Sequence, residues 1–398
     1  MHADMTHASS FLLRCVLVVT GGAALAACAG APVAPEATSY FLSAQDGRAG
    51  LVDGNPLVRD AADSLAVVEL TRGRLRVAHQ IAMPTSLVGP PSSIAIAPGG
   101  RLALVSAATR RDPADATKVV PFDLVSVVAL DPIGNTSPRV VASLHTGAGA
   151  SGVSINRAGT LALVANRVEG SVSVLAIEGE QAQVIGKLML GDKSGPAHVA
   201  FSADGRRALV SRDGDNRISL LAIDGRSVTL DPRELYAGLR PYGLDVSPDG
   251  AWAAVTNLGV GQGDADTISL IDLQAQPPRV VDTVSVGQTP EGIFFSPDGR
   301  TVGVTVIDGS NKPQASAFRG TARYRQFDVV DGRLRPAAQL VGGQWLQGHA
   351  FTPDGRAVLV QDAANRQIRL YRNVRDTLTD TGERVQFDGA PAAVKLWR

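Results

Sequence analysis

Ser247-Pro248-Asp249-Gly250 stands between two short apolar runs, and close variants of it return five more times. They are Ala97-Pro98-Gly99-Gly100, Asn156-Arg157-Ala158-Gly159, Ser202-Ala203-Asp204-Gly205, Ser296-Pro297-Asp298-Gly299 and Thr352-Pro353-Asp354-Gly355. Pro fixes φ early in such a turn, Asp bonds its own backbone, and Gly supplies the positive φ. The closing glycines recur at about 45 to 60 residues, the period of a four-stranded propeller blade. Around the third turn the pattern reads cleanly: Pro196–Phe201 runs into the turn, and Arg206–Val210, Ile218–Ile223 and Ser227–Tyr236 follow it. Short strands with a hairpin signal every 8 to 12 residues describe an antiparallel meander, roughly five residues per strand. No stretch keeps apolar residues at helical spacing long enough for a helix.

Working outward, the third strands count the blades: Ser64–Leu70, Leu124–Leu130, Ser171–Ile177, Ile218–Ile223, Thr267–Leu273, Tyr324–Val329 and Ile368–Arg372. These seven face only six internal first strands. Pro391-Ala392-Ala393-Val394-Lys395-Leu396 repeats the first-strand pattern at the C-terminus. It is therefore expected to pair near Tyr40–Ser43, Leu65–Leu70 and Leu75–Ile81, so that the chain's two ends seal the ring. The expected fold is all-β, a seven-bladed β-propeller of four-stranded antiparallel blades over residues 39–398, with no long open edge.

The first residues read as a targeting segment. Arg14 precedes Val16-Leu17-Val18-Val19, too short an apolar run to span a bilayer. Leu25-Ala26-Ala27-Cys28 resembles the lipobox of bacterial lipoproteins, which implies a signal peptide over 1–27 and lipid on Cys28; ordinary cleavage near Ala27 or Ala29 is the alternative. In that family Ala29 in place of Asp implies sorting to the periplasmic side of the outer membrane. Asp4 is unusual in such a segment, and Met5 is an alternative start to Met1. Residues 28–38, rich in Ala and Pro, read as a flexible tether. The sequence has two cysteines, Cys15 and Cys28, so a mature body cut there has no disulfide, cysteine zinc site or covalent haem attachment. Lys plus Arg and Asp plus Glu are 38 each, with no basic run, which argues against a nucleic-acid partner. A monomeric ring is expected.

Ser247-Pro248-Asp249-Gly250 followed by Val255-Thr256-Asn257, and Gly159 followed by Val164-Ala165-Asn166, resemble the YVTN-repeat, lactonase-like seven-bladed propellers of exported bacterial proteins. Val210-Ser211-Arg212 and Val360-Gln361-Asp362 depart from it at the same place. Gly195-Pro196-Ala197-His198 is similar to the Gly-Pro-Arg-His entry of six-phosphogluconolactonase-type propellers, with His198 on the family's His. Ala197 replaces the family's Arg, and Arg212-Asp213 its Asn-Glu. The resemblance implies the fold, and as an activity lactone hydrolysis.

In a meander the links between blades, and from second to third strand, share one rim. Three of these links are long, about 109–122, 259–266 and 308–322, and they gather at one mouth of the channel, where binding or floppy insertion are the two readings. Aligned from the turns, His198, Gly243, Gly292 and Gly348 ring that mouth, with Ala197, Tyr242, Glu291 and Gln347 one residue earlier and Arg240, Trp345 and His349 flanking. Arg240, Tyr242, Glu291, Trp345, Gln347 and His349 are the expected contacts for a small polar ligand or a periplasmic partner protein. Each has a plain structural alternative as a packed or hydrogen-bonded core residue. The expected function is a membrane-tethered binding or scaffold module. One alternative is a lactonase-like hydrolase in which His198, Glu291 and Arg240 supply base and cation. Another is a redox accessory holding haem or quinone noncovalently through His198 or His349. No cofactor and no metal is expected: no His pair has zinc spacing, and Asp264 with Asp266 falls short of a calcium ligand set. Ser92-Ser93 and Ser151-Gly152 read as turn material rather than nucleophiles.

Overall fold

The computed structural model describes residues 38–397 apart from 88, 132–134 and 375–376. The signal peptide, Cys28 and nearly all of the tether lie outside the described residues.

Seven four-stranded antiparallel sheets form the blades of a β-propeller. Among the described residues no helix occurs. Six blades run in chain order from inner to outer strand. The third, for example, is Pro196–Phe201, Arg207–Arg212, Arg217–Asp224 and Ser227–Leu235. The closing blade takes its inner strand, Ala390–Leu396, from the C-terminus and lays it against Ser39–Asp46, Ser64–Thr71 and Arg74–Ala82. Phe41 pairs with Leu396 and Ser43 with Val394 in that seam.

The core is divided among the blade interfaces instead of filling one centre. Phe41, Val68 and Leu70 of the closing blade pack on Leu359, Ile368 and Phe387 at the sixth. Leu42, Leu65 and Val67 pack on Ala103, Val105 and Val128 of the first. Similar layers join the remaining neighbours. Each strand alternates its side chains between two faces, and both faces of an inner or middle strand meet a neighbouring blade. That explains near-continuous burial in strands such as Leu161–Asn166.

The tight turns behave as their sequence predicts. Asp249 accepts from the Ser247 hydroxyl at 2.5 Å and from the Ala251 amide at 3.0 Å, and Gly250 takes φ 76°. The asparagine closing the second strand has an equally definite task. Asn257 donates to Thr267 Oγ1 at 2.8 Å and Ser269 Oγ at 3.1 Å, and Asn166 donates to Ser171 and Ser173 at 2.9 Å each, tying the end of the second strand to the third. Where the repeat drifts, charge does the same work. Arg212 donates to Ser219 at 3.0 Å and Glu234 at 2.7 Å. Asp362, fully buried, accepts from the Gln344 amide, Asn365, Gln367 and Arg369 at 2.8–2.9 Å. Asp362→Ala strands the Arg369 guanidinium and is expected to cost about 3–5 kcal/mol, read as a lower midpoint in denaturant with unchanged slope. A midpoint within experimental error of the parent removes the pin from the account.

Two details at the mouth differ from the sequence reading. The 109–122 link is largely not a loop: the second and third strands, Leu102–Arg111 and Val119–Ala129, run on as a hairpin in which Arg111 pairs with Val119. A fourth long link, 47–63 in the closing blade, carries its own small hairpin, Ala49–Val52 with Asn55–Val58. Asp53-Gly54 forms its two-residue turn, with Val52 paired to Asn55.

Candidate functional site

Five of the seven inner strands enter from the mouth through a residue in the left-handed region: Gly149, Gly195, Arg240, Thr289 and Trp345 all have φ between 56° and 77°. The ladder then slips by one or two residues. Pro241 pairs with Asn257, but the next paired residue is Leu244; Pro290 and Ile293, and Leu346 and His349, bracket the same irregularity. A bulge re-aims the side chains it carries. Tyr242, Glu291 and Gln347 occupy this bulged position.

A hydroxyl from the preceding blade fixes the bulged carbonyl. Thr256 Oγ1 donates to Glu291 O at 3.0 Å, Thr305 Oγ1 to Gln347 O at 2.9 Å, and Ser211 Oγ to Tyr242 O. The repeat's threonine position thus pins the next blade's mouth residue. Glycine follows the bulged residue because nothing larger fits: a Cβ on Gly243 would stand 2.1 Å from Glu291 O, and one on Gly292 2.7 Å from Gln347 O.

On one side of the mouth a charged cluster assembles around Asp213, whose side chain is 4% exposed. It accepts from Arg167 Nε at 3.1 Å and also from Arg167 Nη2, and from Arg240 Nη2 at 3.0 Å. Arg240 is further committed to Gly259 O at 3.2 Å. Arg167 lies over the Tyr242 ring, 5.6 Å from its centroid, and its charge acts on both Tyr242 and Glu291. Glu291 Oε2 has no hydrogen-bond partner, and burial, opposed by Arg167, pushes this carboxyl up to about 8. Burial also raises Tyr242 above its ordinary value, so it stays a phenol.

The residues expected at the mouth separate into three groups. His198, Arg240, Tyr242 and Glu291 come together around Arg167 and Asp213. His198 is 1% exposed, with its ring 4.9 Å from Tyr242. Its Nδ1 accepts from the Leu244 amide at 3.3 Å, which leaves the proton on Nε2. Burial and then the Arg167 charge push it down to about 3. A neutral imidazole whose Nδ1 already accepts a hydrogen bond offers no free lone pair to water at ordinary pH, and Arg240 is engaged by Asp213 and Gly259 O.

Trp345 and Gln347 form the second group, on the blade next to that of Glu291, where they line a cavity of about 330 Å³ under the 49–58 hairpin. His349, expected beside them, is instead one register step past the bulge, paired with Val360. It is also 1% exposed and packs edge-on to Phe294 and Tyr324, centroids 5.2 and 4.9 Å away. With both histidines enclosed, neither presents a ring edge to a haem. Asp266 is engaged by the Thr289 amide at 2.8 Å, and among the described residues no group of three His, Cys, Asp or Glu is placed to hold a metal.

Arg167 is the residue that sequence reading missed. It follows directly on the second strand of its blade, the place Asp213 holds in the next. Its signal was positional: a charged residue just past the repeat's asparagine stands at the mouth.

No protein-family model matches the chain, and no curated protein does. Solved structures do. A protein provisionally assigned as a 6-phosphogluconolactonase from Bacteroides fragilis is 17% identical, with a TM-score of 0.69 over 91% of this chain and 98% of that one. The periplasmic gluconolactonase of Pseudomonas aeruginosa is 18% identical, with a TM-score of 0.67 over 90% and 99%. These neighbours are lactonase-like seven-bladed propellers. Hydrazine synthase of Kuenenia stuttgartiensis also aligns, at 19% identity and a TM-score of 0.58 over 78% of this chain and 90% of that one. At such identities the likeness establishes the fold, and a fold of this kind hosts unrelated chemistries.

Proposed function

We propose that the charged side of the mouth binds and opens lactones of small polyhydroxy acids. The observation that carries this reading is the unpartnered Glu291 carboxyl beside the Arg167–Asp213 pair. Ionised Glu291 takes a proton from water as its oxygen attacks the lactone carbonyl. Arg167, held in place by Asp213, faces the negative charge that develops on the carbonyl oxygen. The ring C–O bond then breaks, the proton passes from Glu291 to the departing ring oxygen, and a hydroxy acid leaves. The gluconolactonase named among the structural neighbours, from Pseudomonas aeruginosa, agrees with this class of substrate.

A panel of sugar lactones tests it. Glu291→Gln is expected to lower kcat by about 10²–10⁴-fold, and Arg167→Met by about 10²-fold. A wild-type protein that hydrolyses no lactone above background ends the hydrolase reading. Should it still shift in melting temperature with the same compounds, the mouth is a binding site without chemistry.

One observation favours the binding-module reading on a larger scale: Val52, Tyr236, Leu239, Val260 and Phe318 are exposed apolar side chains on links that reach this rim. They suit a periplasmic partner protein, and pull-down with and without the 259–266 and 308–322 links tests for one. We also propose export as a periplasmic, lipid-anchored protein through Cys28. The Trp397 indole donates to Gly100 O in a tight turn at 2.9 Å, and the Trp397 amide to Tyr40 O at 2.8 Å, so the chain enters the body on the turn rim, opposite the mouth. Mass spectrometry of the mature N-terminus checks the lipid; an unmodified residue 28 removes it.

A further inference from the structure

The second group of mouth residues is not used by the lactone site. The cavity under the 49–58 hairpin is lined by apolar Leu51, Leu57 and Pro391 and by Asp46, Trp345, Gln347 and Arg366, and the Asp46 carboxylate is taken up by the Arg48 and Ala49 amides at 2.9 Å each. Two observations distinguish it from a packing defect. Gln347 is 1% exposed, lines the cavity, and neither its Oε1 nor its Nε2 has a hydrogen-bond partner. A buried primary amide without any partner is rare in folded proteins, because its lost hydration is recovered nowhere else. Trp345 holds the left-handed position that Gly149, Gly195, Arg240 and Thr289 hold in other blades, and its amide donates to Ser310 Oγ at 2.9 Å, which fixes its place on the wall. The volume, about 330 Å³, lies in the range of small-molecule sites.

The chemistry of the walls selects the ligand. The flat face of Trp345 and the Leu51, Leu57 and Pro391 side chains suit an aromatic or short aliphatic body. Arg59, the other arginine on the wall, already donates to Asp388 O at 2.6 Å, whereas no hydrogen bond or ion pair engages the Arg366 side chain among the described residues. An unengaged guanidinium suits a carboxylate, which it can grip with two parallel bonds. Gln347 offers one acceptor and one donor group side by side, which a hydroxyl satisfies by donating to Oε1 and accepting from Nε2. Gly89 completes the cradle: a Cβ there would stand 2.7 Å from Gln347 Oε1.

We propose that this cavity is a separate binding site for a small hydroxycarboxylate with an apolar body. The carboxylate sits on Arg366, the hydroxyl on Gln347, and the body between Trp345 and the hairpin.

Tryptophan fluorescence of the full chain tests the site with four probes: phenyllactate, phenylpropanoate without the hydroxyl, the methyl ester of phenyllactate without the charge, and lactate without the ring. Phenyllactate is expected to give a saturable change that Trp345→Phe removes, and the three others to bind at least about tenfold more weakly. Arg366→Met is expected to weaken phenyllactate at least about tenfold. Gln347→Leu is expected to erase the preference for phenyllactate over phenylpropanoate, a signature that mere packing would not produce. Leu57→Arg, on the half-exposed hairpin, guards against a folding artefact: it fills the cavity from outside, and binding should go while the melting temperature stays. A folded protein with no saturable response, or Arg366→Met and Gln347→Leu proteins that titrate like the parent, overturns the assignment. So does a crystal soaked in phenyllactate that shows only water on Gln347. None of these readouts depends on lactone turnover, so this site and the lactone site stand or fall separately.

Discussion

A chain ending at residue 389 is expected to lose cooperative melting altogether. Ala390–Leu396 is the inner strand of the closing blade, and its removal touches both interfaces of that blade at once. Val394 belongs to the layer shared with the sixth blade, and Ala393 and Trp397 to the layer shared with the first. Trp397 alone, packed at 6.0 Å from the Tyr40 ring and bonded to Gly100 O, is worth about 3–5 kcal/mol on truncation to Ala. A whole domain is stable by only about 5–15 kcal/mol. Losing that tryptophan together with Ala393, Val394 and a full ladder of backbone hydrogen bonds exceeds what remains. The truncation also bares the edge of Ser39–Asp46, so aggregation should accompany unfolding. The check is calorimetry beside the full chain and Trp397→Ala, which should melt lower but still cooperatively. A truncated protein that melts like the parent would show that the ends do not seal the ring.

Local chemistry determines the ring, which is why it could be read in advance. A turn such as Ser247-Pro248-Asp249-Gly250 needs specific residues at specific positions, and alternation around it fixes which faces are buried. The closing strand was legible because seven third strands against six first strands leave a strand to be found. The mouth was harder to read, since its residues are brought together across blades. Glu291 and Tyr242 could be placed by counting from the turns, because the bulge recurs in six of the seven blades. His349 has the same offset logic, but it lies past the slip in the ladder, and that one step sends its ring into Phe294 and Tyr324 instead of the channel. Arg167 is marked only by its place just past the repeat's asparagine, which says nothing of its partners. It matters because Asp213, a blade away in sequence, turns its guanidinium toward Tyr242 and Glu291. The 49–58 hairpin escaped because it is an insertion, and nothing in the repeat announces one.

The difference in stability between the parent and Glu291→Gln across pH isolates the Glu291 carboxyl. Its ordinary value is 4.5 and its folded value about 8, so between those values the folded protein keeps a proton that the unfolded chain has lost. Stability therefore falls as pH rises through this window, is unaffected by Glu291 below it, and carries the full penalty above it. At about 1.4 kcal/mol per unit the penalty reaches at most about 5 kcal/mol. Burial raises Asp63, Asp245 and Asp266 as well, so the parent curve alone mixes several descents. The difference between the parent and Glu291→Gln isolates one. The two proteins should melt together near pH 4.5, diverge steadily to about pH 8 with the Gln variant the more stable, and run parallel above that. Turnover supplies the matching half: a base that ionises near 8 makes lactone hydrolysis climb through neutral pH and level off beyond it. A base at about 3, as His198 would be, gives a rate already flat across that range. A flat rate together with parallel melting curves would mean that the Glu291 carboxyl is an ordinary ionised side chain, and the site would lose its base.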